Sequence, residues 1–136
     1  MTGESDVEQL DGIWRLVEAR AWDEATDRLS APYGEHPVGM ITFSNGRMLA
    51  ALCNGDRVVP EGAKRSYSSY GGVYTFDGST LETLVDVASD PSRIGGRQVR
   101  KVEMRGAQLV LRPPTRRYGE AVQKRELIWE RVWQPA

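Results

Sequence analysis

The sequence holds one cysteine, Cys53, and one histidine, His36, among its 136 residues. One cysteine excludes an intrachain disulfide and a cysteine-based zinc cluster, and one histidine excludes a histidine-rich hydrolytic metal centre. The first 20 residues lack the apolar core of a secretory signal, and no stretch approaches the ~18 apolar residues of a membrane helix. Neither a phosphate-binding P-loop nor a dinucleotide glycine fingerprint is present, so we expect no cofactor.

Charge is nearly balanced, since 18 Lys and Arg face 19 Asp and Glu for a formal net charge of -1. This balance argues against nucleic-acid binding through a broad basic surface. The 40% hydrophobic share suits a folded protein, and 136 residues are the size of one domain. We therefore expect one cytoplasmic domain over residues 1–136 that binds neither a membrane nor nucleic acid. Its basic charge rests on arginine far more than on lysine, which fits a GC-rich bacterial coding bias.

Turn residues divide most of the chain into short strands. Asn45-Gly46, Asp77-Gly78 and Arg105-Gly106 each stand between two strand-like segments, which is the pattern of a tight β-hairpin. Eight antiparallel strands remove their exposed edges by closing into a barrel, whose interior has room for one small ligand. Strands are predicted over residues 14–22, 38–43, 47–53, 67–76, 81–88, 97–104, 109–112 and 127–133.

The start of the chain carries the single helix signal. Ser5 and Glu8 have the spacing of a capping box, and Gly12 ends the segment, so a short helix is predicted over residues 5–11. The expected fold class is all-β: one antiparallel eight-stranded barrel over residues 12–133, with this short N-terminal helix at one end.

A basic cluster stands in the segment 112–119, which we expect to be a loop because its two prolines cannot donate to a strand ladder. Arg112, Arg116 and Arg117 lie there beside Tyr118. For this cluster we favour a solvated loop over a surface that recruits an acidic partner.

Two features at opposite ends of the chain belong together. Gly12-Ile13-Trp14 resembles the G-x-W signature at the first strand of the lipocalins and their calycin relatives, and Arg131 stands where those barrels have a last-strand arginine. A guanidinium over an indole face gains ~0.5–2 kcal/mol of cation–π energy. Trp14 and Arg131 are therefore expected to be structural residues that pack on each other.

Four motifs in the middle of the chain carry a closer resemblance. They are similar, in order and spacing, to those of the small stand-alone lipocalin-like domain family of bacteria and fungi, over nearly all of residues 12–132. This resemblance implies a compact eight-stranded barrel that binds small molecules, with some members in natural-product pathways, and it brings no shared catalytic residues. The motifs are Pro32-Tyr33-Gly34-Glu35-His36-Pro37-Val38-Gly39, Asn45-Gly46-Arg47-Met48, Tyr70-Gly71-Gly72-Val73-Tyr74 and Gln98-Val99-Arg100.

Side-chain alternation divides each strand into an outer face and a face toward the barrel lumen. We assign the aromatic and methionine-bearing faces to the lumen, because barrel interiors fill with large apolar side chains. This places two tyrosines, Tyr70 and Tyr74, inside with Gln98 and Arg100. The other predicted ligand-binding residues are Met40, Met48, Leu52, Val102, Met104 and Trp129. The Gly71-Gly72 pair invites a β-bulge, which would change this alternation.

Arg100 is the most informative of these residues, because a buried guanidinium needs a partner. One interpretation is an internal ion pair with Glu18, Asp86 or Glu126. The other is a donor to a carbonyl, enolate or carboxylate of a ligand. The two tyrosines likewise either pack and tether their hydroxyls or act on a ligand oxygen. His36 is expected at the surface or the barrel rim.

Three functions remain open at this point. The first is a binding barrel for a mostly apolar small molecule of polyketide, terpenoid or acyl type. The second is a cofactor-independent cyclase or isomerase of natural-product biosynthesis, with Arg100, Tyr70 and Tyr74 as catalytic residues that polarise a carbonyl while the cavity folds the substrate. The third is a filled barrel that acts as an interaction module. No metal site is expected, and strand-edge pairing would allow a homodimer.

Overall fold

Strands dominate residues 9–136, which are the residues that the computed structural model describes. A single 3₁₀ turn, Pro91–Arg93, interrupts them in this part of the chain. The predicted helix over residues 5–11 lies mostly outside the described residues. The strands are β1 (Gly12–Asp23), β2 (Leu29–Ser30), β3 (Pro37–Ser44), β4 (Arg47–Asn54), β5 (Tyr67–Phe76), β6 (Thr80–Ala88), β7 (Arg97–Arg105), β8 (Gln108–Arg112), β9 (Arg116–Tyr118) and β10 (Ala121–Trp133).

The sheet closes into an antiparallel barrel of eight strands, as the sequence predicts. Each long strand pairs with the next, in the order β1-β3-β4-β5-β6-β7-β8-β10, and β10 pairs back onto β1. The two shortest strands are additions at the edges of this barrel, because β2 pairs only with the end of β1 and β9 only with the start of β10. Closure gives each barrel strand a paired neighbour on both sides over part of its length.

Tight turns gather at one end of the barrel, which we call the hairpin end. Asn45 and Gly46 both have positive φ, at 54° and 76°, as a two-residue hairpin of matching twist requires. The β5–β6 turn is held by Asp77, whose carboxylate accepts hydrogen bonds from the backbone N–H groups of Ser79 and Thr80. The longer connections all lie at the opposite end, which we call the open end.

Large side chains fill the half of the barrel nearest the hairpin end. Phe43 and Tyr74 meet edge to face, with their ring centroids 5.1 Å apart. This packing leaves space only in the other half of the lumen. The buried residues of the packed half include Leu10, Trp14, Phe43, Met48, Tyr74, Phe76, Leu81 and Leu109.

Trp14 closes the hairpin end together with Arg131, as the sequence predicts. Its indole Nε1 donates to the carbonyl oxygen of Leu10 at 2.9 Å, and the Arg131 guanidinium lies 4.3 Å from its ring centroid. Arg131 in turn donates to the carbonyl oxygen of Gln9 at 2.6 Å. Gly12 is required beside this cluster, because its φ is +131° and a Cβ there would lie 2.2 Å from the carbonyl oxygen of Trp133.

The pairing of β5 with β6 shifts between Gly71 and Gly72, so a bulge lies beside the expected position but on the partner strand. A Cβ on Gly72 would lie 1.9 Å from the carbonyl oxygen of Leu84, so only glycine allows this close approach. The extra residue falls on β6, at Asp86, and the alternation along β5 is intact. Tyr70 and Tyr74 are therefore both buried on the lumen side.

Candidate ligand-binding site

A cavity of about 450 Å³ occupies the half of the lumen nearest the open end. Its volume lies within the ~300–1,000 Å³ range of small-molecule pockets. Mid-strand side chains form its apolar part: Ile41, Ala50, Leu52, Tyr70, Leu111, Leu127 and Trp129. Polar residues from the strand ends and the open-end loops surround its mouth. The indole N–H of Trp129 is buried, and no described residue accepts a hydrogen bond from it.

Arg93 and Arg100 lie together on one side of the mouth. Arg93, in the 3₁₀ turn, has its guanidinium carbon 4.4 Å from the centroid of the Tyr70 ring, and that of Arg100 lies 5.9 Å from it. Both donate to the same acceptor, the side-chain oxygen of Gln98, at 2.9 and 3.0 Å. Arg93 also donates to the Ser68 hydroxyl at 3.1 Å. The neutral amide oxygen of Gln98 thus accepts hydrogen bonds from two guanidinium groups.

Arg116 and Arg125 form a second pair at the mouth. Their guanidinium carbons lie 4.7 and 3.5 Å from the ring centroid of Tyr118. Arg125 donates to the side-chain oxygen of Gln123 at 3.3 Å, again a neutral acceptor. Desolvation lowers the pKa of the Arg125 guanidinium, and the positive charge of Arg116 lowers it further.

The mouth therefore carries positive charge without matching negative charge. In residues 9–136, no carboxylate lies within 4.0 Å of any of these four guanidinium groups. One carboxylate, that of Asp90, also lines the cavity. It accepts hydrogen bonds from the Ser92 hydroxyl and N–H, which hold the pKa of Asp90 below its usual value, and the charge of Arg93 contributes in the same direction. Desolvation lowers the pKa of Arg93, and Arg100 contributes in the same direction.

Tyr33 reaches the cavity from the loop between β2 and β3. Burial raises the pKa of its hydroxyl, against the opposing effects of Arg125 and of a hydrogen bond with Ser68. The loop is anchored by Asp56, which accepts a hydrogen bond from the His36 N–H at 2.8 Å and lies 3.0 Å from His36 Nδ1. His36 itself is largely exposed, so the expectation of a surface histidine is met.

The cavity brings together five of the residues predicted for the site. Leu52, Tyr70, Gln98, Arg100 and Trp129 all line it. The carboxylates considered as partners for Arg100 are engaged elsewhere, since Glu18 and Glu126 pair with Arg20 and Asp86 pairs with Arg47. Arg100 instead donates to Gln98 and to the carbonyl oxygen of Val99 at 2.9 Å.

Three other predicted residues are on the lumen side but away from the cavity. Met48 is buried in the hydrophobic core, and Val102 is a partly buried residue packed against that core. Tyr74 is in the packed half as well, and its hydroxyl donates to Asp11 Oδ1 at 3.4 Å. Burial, the charge of Asp11 and this hydrogen bond raise the pKa of Tyr74 well above its usual value. A role for Tyr74 in the cavity therefore finds no support in its position.

The structure corrects the placement of two methionines. Met40 is 41% exposed and pairs with Arg15 and Ala51, which also face outward, because Ile41 turns inward on β3. Assigning the methionine-bearing face of β3 to the lumen was therefore wrong, because that face is the outer one. Met104 is 47% exposed, since it stands at the hairpin end beside the turn that follows β7.

The sequence interpretation missed five residues that complete the mouth. Tyr33, Arg93, Arg116, Tyr118 and Arg125 all line the cavity. Strand alternation gives no information on the first four, because Tyr33 and Arg93 lie in a loop and a turn, and Arg116 and Tyr118 are the ends of a three-residue strand. The basic cluster of residues 112–119 was a usable signal, but the interpretation as a solvated loop overlooked that this segment borders the barrel opening.

Residues 9–136 contain neither a metal-binding cluster nor a membrane-spanning helix. No three His, Cys, Asp or Glu side chains come together there as a metal site would require. Within the same residues, no helix has the length and apolar character needed to cross a membrane.

Comparison with known proteins agrees with the barrel architecture. The family model described as a lipocalin-like domain matches residues 11–132, which is most of the chain. Neither the search of curated proteins nor the search of solved structures found a significant match. The matched segment starts just before the Gly12-Ile13-Trp14 motif and ends just after Arg131, so it includes both structural residues and all eight barrel strands except the last residue of β10. The chain belongs to the lipocalin-like domain family.

Proposed function

We propose that this protein binds a mostly apolar small molecule, of polyketide, terpenoid or acyl type, in the cavity of its barrel. A lipocalin-like barrel suggests small-molecule binding in general. The observation that carries the proposal is the uneven filling of the lumen, because one half is packed and the other holds about 450 Å³ of space. A barrel that served only as an interaction module would have no reason to leave that space.

The expected affinity follows from the apolar lining. A ligand of two aromatic units that buries about 400 Å² of apolar surface gains about 10 kcal/mol at about 25 cal/mol per Å². Association offsets several kcal/mol of this gain, and polar contacts at the mouth restore part of it. We therefore expect micromolar dissociation constants for a ligand of suitable size, with Arg100 and Tyr70 fixing its orientation.

The cyclase or isomerase hypothesis uses the same cavity but loses one of its three catalytic candidates. Tyr74 does not line the cavity, and its hydroxyl is engaged with Asp11. Arg100 remains available to polarise a carbonyl, and Tyr70 presents its ring to the two arginines beside it. No observation favours turnover over binding, so binding is the function that we propose.

The proposal is tested with N-phenylnaphthylamine, a neutral apolar dye whose fluorescence rises in apolar surroundings. We expect the protein to bind it with a micromolar Kd. Replacing Ala50, a buried residue of the cavity wall, by phenylalanine should weaken binding at least about tenfold, because the larger side chain fills the space. Fluorescence titration measures the change.

A matched control stands one residue along the same strand. Ala51 is exposed on the outer face, so Ala51→Phe should leave the Kd within about twofold of the parent value. If Ala50→Phe is unfolded, Leu127→Trp fills the cavity from β10 instead. Equal dye binding by the parent protein and by a folded cavity-filling variant would show that the dye sits elsewhere, and would overturn the proposal.

A further inference from the structure

The arginines at the cavity mouth differ from those on the outside of the barrel. Outside, Arg15, Arg20, Arg47, Arg97 and Arg112 each form an ion pair with a carboxylate. At the mouth, the guanidinium groups of Arg93, Arg100, Arg116 and Arg125 have no carboxylate within 4.0 Å in the described part of the chain. Other described arginines, such as Arg28 and Arg57, also lack a carboxylate partner, but they are exposed and do not line the cavity, whereas the four at the mouth surround one cavity.

The four guanidinium groups are held in place without being neutralised. Tyr70 stacks under Arg93 and Arg100, and Tyr118 stacks under Arg116 and Arg125. A cation–π contact fixes the plane of a guanidinium through its face, and its N–H donors at the edge stay free for an acceptor. The acceptors that some of these donors do meet are neutral oxygens, such as that of Gln98.

Like charges repel one another most strongly where solvent screening is weak. Arg93 and Arg100 share one amide oxygen, so they stand side by side, and they line the same cavity as Arg116 and Arg125. A bound anion would relieve the repulsion within each pair and would accept charge-assisted hydrogen bonds from the free donors. An arginine fork suits the planar or tetrahedral oxygens of an acidic group better than a single ketone oxygen.

We infer that the mouth of the cavity is an anion-binding site formed by Arg93, Arg100, Arg116 and Arg125, and that the ligand is an amphipathic organic anion. This inference rests on the proposed function and specifies its ligand. The apolar body of the ligand lies in the lumen against residues such as Ala50 and Trp129. Its acidic group stays at the mouth, where it meets the arginines from the 3₁₀ turn, β7, β9 and β10.

Two dyes that differ by one acidic group test this inference. Anilinonaphthalene sulfonate has the same aromatic framework as N-phenylnaphthylamine and adds a sulfonate. We expect the parent protein to bind the sulfonate at least about tenfold more tightly than the neutral dye, which is about 1.4 kcal/mol. For the Arg93→Gln/Arg100→Gln variant, this affinity ratio should fall to about 2 or less. Arg116→Gln/Arg125→Gln should lower it in the same way and serves as the second variant if the first does not fold.

A matched control separates a local site from overall charge. Arg28→Gln/Arg57→Gln removes the same two charges from residues that do not line the cavity, so the ratio should stay at the parent value. An equal fall in the control variant would assign the preference to the overall field of the protein and would overturn the inference. A parent ratio near 1 would also overturn it, while micromolar binding of both dyes would leave the proposed function intact. If neither dye binds, the proposed function itself fails.

Discussion

Trp14→Ala is expected to lower the free energy of unfolding by about 3–5 kcal/mol, as large-to-small changes of buried aromatic residues do. The side chain is 1% exposed, so its removal leaves a cavity at the hairpin end. It also removes the ring under Arg131 and the donor to the Leu10 carbonyl, so the chain segment that covers this end loses its attachment. Urea unfolding followed by circular dichroism measures the change, and the melting temperature should fall by roughly 10 °C or more.

Trp133→Ala is the matched control for this prediction. Trp133 is 55% exposed near the end of the same barrel strand that carries Arg131, so its truncation should cost less than about 1 kcal/mol. Comparable losses of unfolding free energy in the two variants would show that removing an indole destabilises the protein equally at either position, whatever its burial. A Trp14→Ala protein as stable as the parent would contradict the role of Trp14 as the anchor of the barrel end.

The strands of this barrel are readable from sequence where turn chemistry and alternation agree. β5 was predicted at its observed limits, and β3, β4 and β6 within one residue at each end. Asn45-Gly46 explains the success at the β3–β4 hairpin, since few dipeptides accept two successive positive φ angles. A bulge was also expected in the Gly71-Gly72 pair, because glycine inside a strand often marks a close backbone approach, but its extra residue is Asp86 on the partner strand β6.

The start of β10 was missed because its exposed face is strongly charged. The strand begins at Ala121, six residues before the predicted start, and its first half reads AVQKRE. Charged residues on a strand usually indicate solvent, but here Glu126 is buried under arginines from two neighbouring strands. β9 was missed for a related reason, because the two prolines ahead of it suggested a loop, and its three residues pair only with the start of β10.

The candidate site was predictable in its apolar part and only in outline at its mouth. Alternation along β4 and β5 placed Leu52 and Tyr70 in the lumen, where they are found. Arg93 could not be placed by alternation, since it lies in the 3₁₀ turn between β6 and β7. Which loops meet over an opening is decided by the closure of the whole barrel, and no local pattern in one sequence encodes that meeting.

The two ends of the barrel have different properties, stability at the hairpin end and the proposed binding at the open end. The hairpin end is packed, with Trp14, Phe43 and Tyr74 in contact with their neighbours in the core, and it accounts for stability. The open end holds the cavity and the unneutralised arginines, and it accounts for the proposed binding. Substitutions at the two ends should therefore have separate effects. Changes at Trp14 should alter the free energy of unfolding, whereas changes at Arg93 should alter the affinity ratio between charged and neutral ligands.

Glu126→Gln is expected to destabilise the protein by about 2 kcal/mol at pH 7. Glu126 is 5% exposed on the outer side of β10, and its two carboxylate oxygens accept hydrogen bonds from Arg20 at 2.8 Å and from Arg112 at 2.9 Å. Breaking a fully buried ion pair costs about 3–5 kcal/mol, but both arginines here are about one-third exposed, and solvent screening reduces the loss. Glutamine keeps the shape, yet it removes the charge and turns an N–H₂ group toward one guanidinium.

The pH dependence of this loss gives the sharper test. Desolvation raises the pKa of Glu126, but the hydrogen bonds and charges of Arg20 and Arg112 outweigh it, so the pKa in the folded protein lies below that of the unfolded chain. The stabilisation is therefore complete above the unfolded pKa of about 4.3 and is lost as the pH falls through the folded value. Urea unfolding of the parent and of Glu126→Gln should show a gap in free energy at pH 7 that narrows at pH 3.5. Glu130→Gln, whose partly exposed carboxylate pairs with Arg15 at the surface, should show a gap below about 1 kcal/mol at both pH values. A gap for Glu126→Gln that stays constant down to pH 3.5 would mean that shape, and not charge, holds β10 to its neighbours.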